Sequence, residues 1–310
     1  MLIGAATVIV LAMLLLVYMS LAPSSFPIRQ IVTIKQGTYL SQAADMLAAD
    51  NIVKSPFLFK IFVMLLSGHR QMQAGQYLFD QPQSALRVAY RAVYGIQGLP
   101  KIKVTIFEGM TTKDIGASLK KSIPGFDAKT FLTLAGPLEG QLFPDTYYFY
   151  ENVAPQDVID LLHSTLIDKT KPLILQIQAF GKSPEEIITM ASLVEKEATS
   201  SADRRIIAGV LWRRIAENMP LQVDPPFYYL FGKDSAQLTV TDLAVDSPYN
   251  LYKHTGLPPT PIDNPGLDAI EDTINPTKSD YLFFLSGRDG QMHYASTLAG
   301  HIANRTKYLE

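Results

Sequence analysis

The first 22 residues, Met1 to Ala22, are apolar or neutral throughout, and the first charged side chain is Arg29. As a helix, a run of that length covers about 33 Å, enough to cross a hydrocarbon core of about 30 Å. The pattern predicts one transmembrane anchor over residues 1–22, with residues 23–310 outside the cytoplasm. Ser20 and Ala22 would suit a cleavage site for a signal peptide. Pro23 follows directly, however, and no basic residue precedes the apolar run, so a retained anchor is the better reading. With no Lys or Arg before it, the charge bias that normally sets orientation is silent. Pro23 to Pro27 reads as a short linker.

Beyond the linker the polar and apolar positions repeat. Val32-Thr33-Ile34-Lys35-Gln36-Gly37 leads into a helical pattern at Ser41–Ala49, with Ala43, Ala44 and Leu47 on one face. Val104-Thr105-Ile106-Phe107-Glu108-Gly109 follows 72 residues later and leads into Thr112–Lys120, with Ile115 and Leu119 in register. Each copy predicts a strand, a Gly turn and an amphipathic helix. The first copy continues through a second helix at Pro56–Leu66 to a return strand at Ala74–Phe79, then a helix at Ser84–Tyr94. This strand–helix–helix–strand order resembles LysM-type modules, which bind glycan strands. Residues 101–182 hold the second copy and a connector whose segment Glu139–Phe149, dense in aromatic and turn residues, either packs on a core or lines a sugar groove, since Tyr and Phe faces pack on apolar sugar faces.

A third pattern begins at Ser183-Pro184-Glu185-Glu186, a helix start with a Ser cap, Pro at the first position and acids in the first turn. Counting about 100° per residue, Ile187, Ile188, Ala191, Val194 and Ala198 form one apolar stripe. Glu195 falls on that stripe, roughly 50° from its centre, and Glu197 lies roughly 110° away at its border. Lys196, Thr189 and Glu185 point to the other side. A carboxyl on an apolar face resists ionisation, and one still protonated near neutral pH can donate its proton to a leaving oxygen. Glu195 is thus a candidate general acid. The competing reading is a structural ion pair with Arg204, Arg205, Arg213 or Arg214.

Composition narrows the chemistry. The 310-residue chain is 47% hydrophobic and 18% charged, with net charge −2 and no cysteine. That leaves no basic field for nucleic acid, no disulfide, no thiolate and no lipid-anchored Cys. The five histidines show no His-Glu-x-x-His spacing and there is no Gly-x-Ser-x-Gly element, so no metal, no cofactor and no serine elbow are predicted.

The C-terminal part carries an ordered set of punctuated segments: Glu139-Gly140-Gln141-Leu142-Phe143-Pro144-Asp145-Thr146-Tyr147, Ala191–Glu197, Met219–Pro225, Ser247–Tyr252, Thr255–Pro259, Pro261–Gly266, Ile274–Pro276 and His293–Thr297 with His301. Together they resemble the MltG (YceG-like) endolytic murein transglycosylase family, over nearly the whole chain. The chain departs from the family pattern at Arg213-Arg214-Ile215, Pro226 and Gly300, which touches details of a groove rather than the acid.

The resemblance implies an α+β protein with an N-terminal transmembrane helix, a LysM-like subdomain at residues 23–100 and a mixed α/β catalytic domain at residues 183–310. It implies an inner-membrane protein whose catalytic domain faces the periplasm or cell wall. Its partners would be peptidoglycan glycan strands and, as neighbours, peptidoglycan synthases. The expected reaction cuts nascent strands between N-acetylmuramic acid and N-acetylglucosamine, leaving a 1,6-anhydro end. The family's acid maps to Glu195.

That chemistry needs one carboxylate. A two-carboxylate glycosidase needs a partner at about 5–5.5 Å or about 6.5–9.5 Å, and Glu197 diverges from Glu195 on a helix. Asp224 is the remaining candidate to approach Glu195. Gln222 and Asp224 are expected to bond sugar hydroxyls, N-acetyl groups or Glu195, Tyr249 to stack on a ring, Asn250 to bond an N-acetyl amide, and His293 to line the groove. For each, a turn or a loop anchor is the structural alternative. A non-catalytic glycan-binding or division-scaffold protein and a hydrolytic muramidase stay open as rival functions.

Overall fold

The structure, a computed structural model, describes residues 2–67 and 72–310, the side chains of residues 2–6 excepted. His69 therefore lies outside the described residues, as does the start of the expected anchor. The chain divides into two compact units, residues 1–101 and 102–310.

The first unit opens with helix α1 (Leu2–Ser20). It stops where Ser20 Oγ donates back to the Val17 carbonyl at 2.7 Å, three residues before Pro23. The expected anchor over 1–22 is thus not met in full: among the described residues, no helix is long and apolar enough to cross a membrane. Strand β1 (Ile31–Ile34), helices α2 (Leu40–Ala49) and α3 (Pro56–Ser67), strand β2 (Gly75–Leu78) and helix α4 (Ala85–Tyr94) follow. β1 and β2 pair antiparallel, from Ile31 opposite Leu78 to Ile34 opposite Gly75. The alternation of β1 sends Val32 and Ile34 inward, where they meet Leu47, Phe59, Tyr77, Phe79 and Val88 in one core.

The second unit begins with β3 (Lys101–Thr105), α5 (Thr112–Ser122), α6 (Ala128–Ala135) and β4 (Thr146–Tyr150). β3 pairs with β4, and Thr105 and Thr146 share a hydroxyl hydrogen bond at 3.0 Å. The second copy is therefore a complete strand–helix–helix–strand unit like the first. The segment expected to be a core-packed connector or a sugar-groove lining contains its return strand, with Tyr147 and Phe149 turned into the core and Tyr148 out. The repeat holds at the turns as well: Gly37 and Gly109 both take left-handed backbone, φ 79° and 73°.

Helices α7 (Pro155–Thr170) and α8 (Ile174–Phe180) lead to α9 (Pro184–Glu197). Then come α10 (Ser201–Ala216), α11 (Pro225–Phe231), the single turn α12 (Val240–Leu243), α13 (Leu267–Ile274), the hairpin β5 (Phe283–Ser286) and β6 (Met292–Ala295), and α14 (Leu298–Tyr308). α9 runs between two cores. Met190, Leu193 and Val194 pack with Ile207 and Leu211 of α10. Ile187 and Ala191 pack with Ala269 and Ile270 of α13. That double packing buries Thr189, which the stripe pattern turns outward.

Candidate active site

α9 starts as its sequence dictates. Ser183 Oγ accepts from the Glu186 N–H at 3.1 Å, and the Glu186 carboxylate accepts from the Ser183 N–H at 2.9 Å. From that start, eleven further positions carry the chain to Glu195, near the other end of the helix and half-buried. Glu195 Oε2 accepts a hydrogen bond from the Gly266 N–H at 2.9 Å. Burial pushes its carboxyl above the ordinary value, and the charge of Glu108 adds to this, while Arg204 and Lys196 oppose it. None of the four nearby arginines pairs with it. Arg204 and Arg205 both close on Asp272, Arg213 meets Glu217, and Arg214 donates to the carbonyls of Leu282 and Leu221.

The donor to Glu195 belongs to the loop Pro261–Gly266, which ties three distant segments together. Ile262 N–H donates to Ser192 Oγ of α9 at 3.1 Å. Asn264 forms a backbone bridge with Met110: Gly109 N–H donates to the Asn264 carbonyl at 2.9 Å, and Asn264 N–H to the Met110 carbonyl at 3.0 Å. Its side chain accepts from the Leu142 N–H at 2.8 Å and donates to Met110 O and to Glu139 Oε1, each at 3.0 Å. Glu139 is buried and also accepts from the Thr112 N–H at the start of α5, at 2.9 Å. Burial outweighs these bonds and pushes its carboxyl up to about 7. Asp263, wholly buried with no hydrogen-bond partner for either oxygen among the described residues, is held well above the usual carboxylate range by burial. Glu139, Asp263, Asn264 and Gly266 lie in segments that the sequence marks as punctuated and Glu108 in the second repeat copy, yet sequence reasoning gives none of these five a role of its own. The one available signal is an acid set inside a turn-rich, otherwise apolar motif.

Two clefts share Tyr228. One, of about 520 Å³, is lined by Thr112, Asp114, Glu139, Tyr228 and Tyr229 among others. The other, of about 330 Å³, is lined by Lys196, Asp224, Tyr228, Lys233 and Asp234. Lys196, the residue after Glu195, holds its ammonium 5.6 Å from the Tyr228 ring.

The expected site residues divide on this geometry. Asp224 lines the second cleft and accepts from the Tyr252 hydroxyl at 2.6 Å. Its charge acts on Glu197, which burial and then Asp224 push up to about 8, whereas the leading charges on Glu195 are those of Glu108, Arg204 and Lys196. Tyr249 bonds Thr260 at 2.7 Å and packs its ring 5.1 Å from that of Tyr229 in the first cleft. Gln222 is exposed, with φ 51° and its N–H on the Leu251 carbonyl. Two expectations need correction. Asn250 is fully buried and donates to the Leu243 and Val245 carbonyls, both at 2.9 Å, while its oxygen accepts from the Tyr252 N–H. Its amide is consumed in anchoring a loop. His293 bonds Asp289 at 3.0 Å and stacks on Tyr308 at 3.4 Å, so it clips the β5–β6 hairpin to α14 rather than lining either cleft. Among the described residues, no group of three His, Asp or Glu side chains is placed to hold a metal ion.

The YceG-like family model matches residues 32–307. The endolytic murein transglycosylase of Bacillus subtilis (strain 168) is 32% identical over 308 residues, covering 90% of this chain and 84% of that protein. The endolytic murein transglycosylase of Streptococcus pneumoniae serotype 2 is 35% identical over 211 residues, covering 66% of this chain but 35% of that longer protein. Among solved structures, a yceG-like protein from Listeria monocytogenes superposes with a TM-score of 0.60 at 27% identity, over 89% of this chain and 99% of that one. On these matches, the chain belongs to the YceG-like family.

Proposed function

We propose that this protein is a lytic transglycosylase that cuts peptidoglycan glycan strands, with Glu195 as its acid and base. Its curated relatives are named endolytic murein transglycosylases. The observation that carries the assignment of the acid is the state of Glu195: half-buried, paired with no arginine among the described residues, raised by burial and held by the Gly266 backbone donor. A carboxyl so placed keeps a proton to give. In the proposed reaction Glu195 protonates the bridging oxygen and the C1–O bond of N-acetylmuramic acid breaks. The 6-hydroxyl of the same sugar then bonds to C1 and returns its proton to Glu195. No water is consumed, and the strand ends in a 1,6-anhydro sugar.

The two clefts meeting at Tyr228 support a glycan lying alongside α9, with tyrosine faces available to apolar sugar faces. In the first unit, a cleft of about 500 Å³ between the β1–α2 turn and the end of α3, lined by Lys35, Tyr39, Val63 and Met64, supports a LysM-like strand-binding role. The exposed apolar side chains from Val8 to Tyr18 support attachment of α1 to the inner membrane, with the remaining chain on the cell-wall side.

The test is to incubate the full chain with uncrosslinked glycan strands and identify the new ends by mass spectrometry. Anhydro ends are expected. Reducing ends would make the protein a hydrolytic muramidase, and binding without cleavage would make it a scaffold.

A further inference from the structure

We propose that Glu108 is a positioning residue for Glu195, acting across Gly266; the role rests on the reading of Glu195 as the acid. The turn after β3 carries Phe107-Glu108-Gly109 to the α9 side of the unit. Gly109 holds that turn with left-handed backbone and with its N–H on the Asn264 carbonyl at 2.9 Å. Glu108 Oε1 then lies against the α-carbon of Gly266, so close that a Cβ there would come within 2.3 Å of it. The N–H of the same Gly266 is the donor to Glu195 Oε2. Two carboxylates thus flank one glycine, and only a residue without a Cβ lets the second approach unhindered.

The repeat supplies an independent argument. The first copy builds the same strand, turn and left-handed glycine with Gln36 where the second copy has Glu108. The turn therefore does not need an acid in order to form. The acid stands in the copy that faces Glu195.

The charged groups around Glu195 come from every element packed on its end of α9. Glu108 on the β3–α5 turn opposes its ionisation, and Asp263 on the 261–266 loop is a second carboxyl nearby, itself pushed up by burial and by the charge of Glu195. Lys196 on its own helix and Arg204 on α10 favour it. Lys196 is also near the Glu108 turn, where a Cβ on Gly109 would come within 2.9 Å of its ammonium. Arg204 is committed to Asp272. Of these two carboxyls, Glu108 is the exposed one and the one in direct contact with Gly266. A negative charge there makes loss of the Glu195 proton harder, and so preserves the acid at the pH where cleavage must occur.

The test uses the full chain, uncrosslinked glycan strands, and the variants Glu108→Gln, Lys196→Gln and Glu195→Gln, with the Glu195 carboxyl followed by carbon-13 NMR titration. The acid must be protonated, so activity falls as pH rises through its pKa. Glu108→Gln, which installs the residue of the first copy, removes the like charge and moves that alkaline limb down by about 0.5–1.5 pH units. Lys196→Gln moves it up. The thermal midpoint of Glu108→Gln stays near that of the wild type, which a merely structural role for Glu108 would not allow. Coincident limbs for wild type and Glu108→Gln, with Glu195→Gln inactive, would overturn the role of Glu108 alone. A fully active Glu195→Gln would overturn the acid and this role with it.

Discussion

Arg204 donates through Nε to Asp272 at 2.9 Å, and both groups are buried. The arginine best placed in sequence to neutralise Glu195 is thereby spent on α13, with Arg205 on the other oxygen of the same carboxylate. The structural ion pair that the sequence leaves open is real, but it belongs to Asp272. Asp272→Ala strands a buried arginine and is expected to cost about 3–5 kcal/mol. Glu195→Gln keeps an acceptor for the Gly266 N–H and breaks no ion pair, so it should change stability by less than about 1 kcal/mol. Urea titrations of the two variants check the contrast.

Glu139 gives stability a pH dependence. Its carboxyl rises from 4.5 to about 7 on folding, so the native state binds the proton more tightly than the unfolded chain. The contribution is fully present below about 4.5 and is lost as pH rises toward 7, by an amount on the order of 2–3 kcal/mol. Oε1 accepts from both Thr112 N–H and Asn264 Nδ2, and Oε2 takes only the longer, 3.2 Å share of the Thr112 N–H, so Glu139→Gln retains the two bonds to Oε1. The variant should therefore show a flatter thermal midpoint between pH 4.5 and 8 than the wild type.

Asp224 separates the two glutamates at the end of α9. Asp224→Asn removes the like charge beside Glu197 and should lower that group from about 8. Because the leading charges on Glu195 are Glu108, Arg204 and Lys196, the alkaline limb of cleavage should stay nearly in place. The loss of a cleft-wall charge should instead appear as a KM raised several-fold. A limb displaced by a full unit would move the acid to Glu197.

Gly140 and Gly181 isolate packing from backbone strain. Both are left-handed, at φ 83° and 80°. A Cβ on Gly140 would meet Pro261 at 2.5 Å and Ile188 at 2.9 Å, whereas Gly181 faces open space. Gly181→Ala should cost about 1–2 kcal/mol from backbone conformation alone. Gly140→Ala adds overpacking of about 1–3 kcal/mol against a rigid proline. Denaturant midpoints of the pair measure the difference.

Local features of this chain were legible because their physics is local. The cap at Ser183, the acid at Glu186 and the left-handed glycines after β1 and β3 follow from residues a few positions apart. The second return strand was hidden because Pro144-Asp145 and Gly140 read as turns, although Tyr147 and Phe149 alternate inward. The site itself depends on separations that no periodicity encodes: Gly266 lies 71 residues from Glu195, and Asn264 lies 154 from Met110. Asn250 shows the same limit from the other side. An amide can bond a sugar or a loop carbonyl, and only the path of the backbone past Leu243 and Val245 decides.

The most direct test compares single-turnover cleavage of uncrosslinked glycan strands by the full chain and by Glu195→Gln at matched, verified folding, with product ends read by mass spectrometry. Loss of the general acid should slow cleavage by about 10²–10⁴-fold, while wild-type products carry 1,6-anhydro ends. A Glu195→Gln variant that cleaves at the wild-type rate would contradict the role of Glu195, and wild-type products with reducing ends would contradict the water-free reaction.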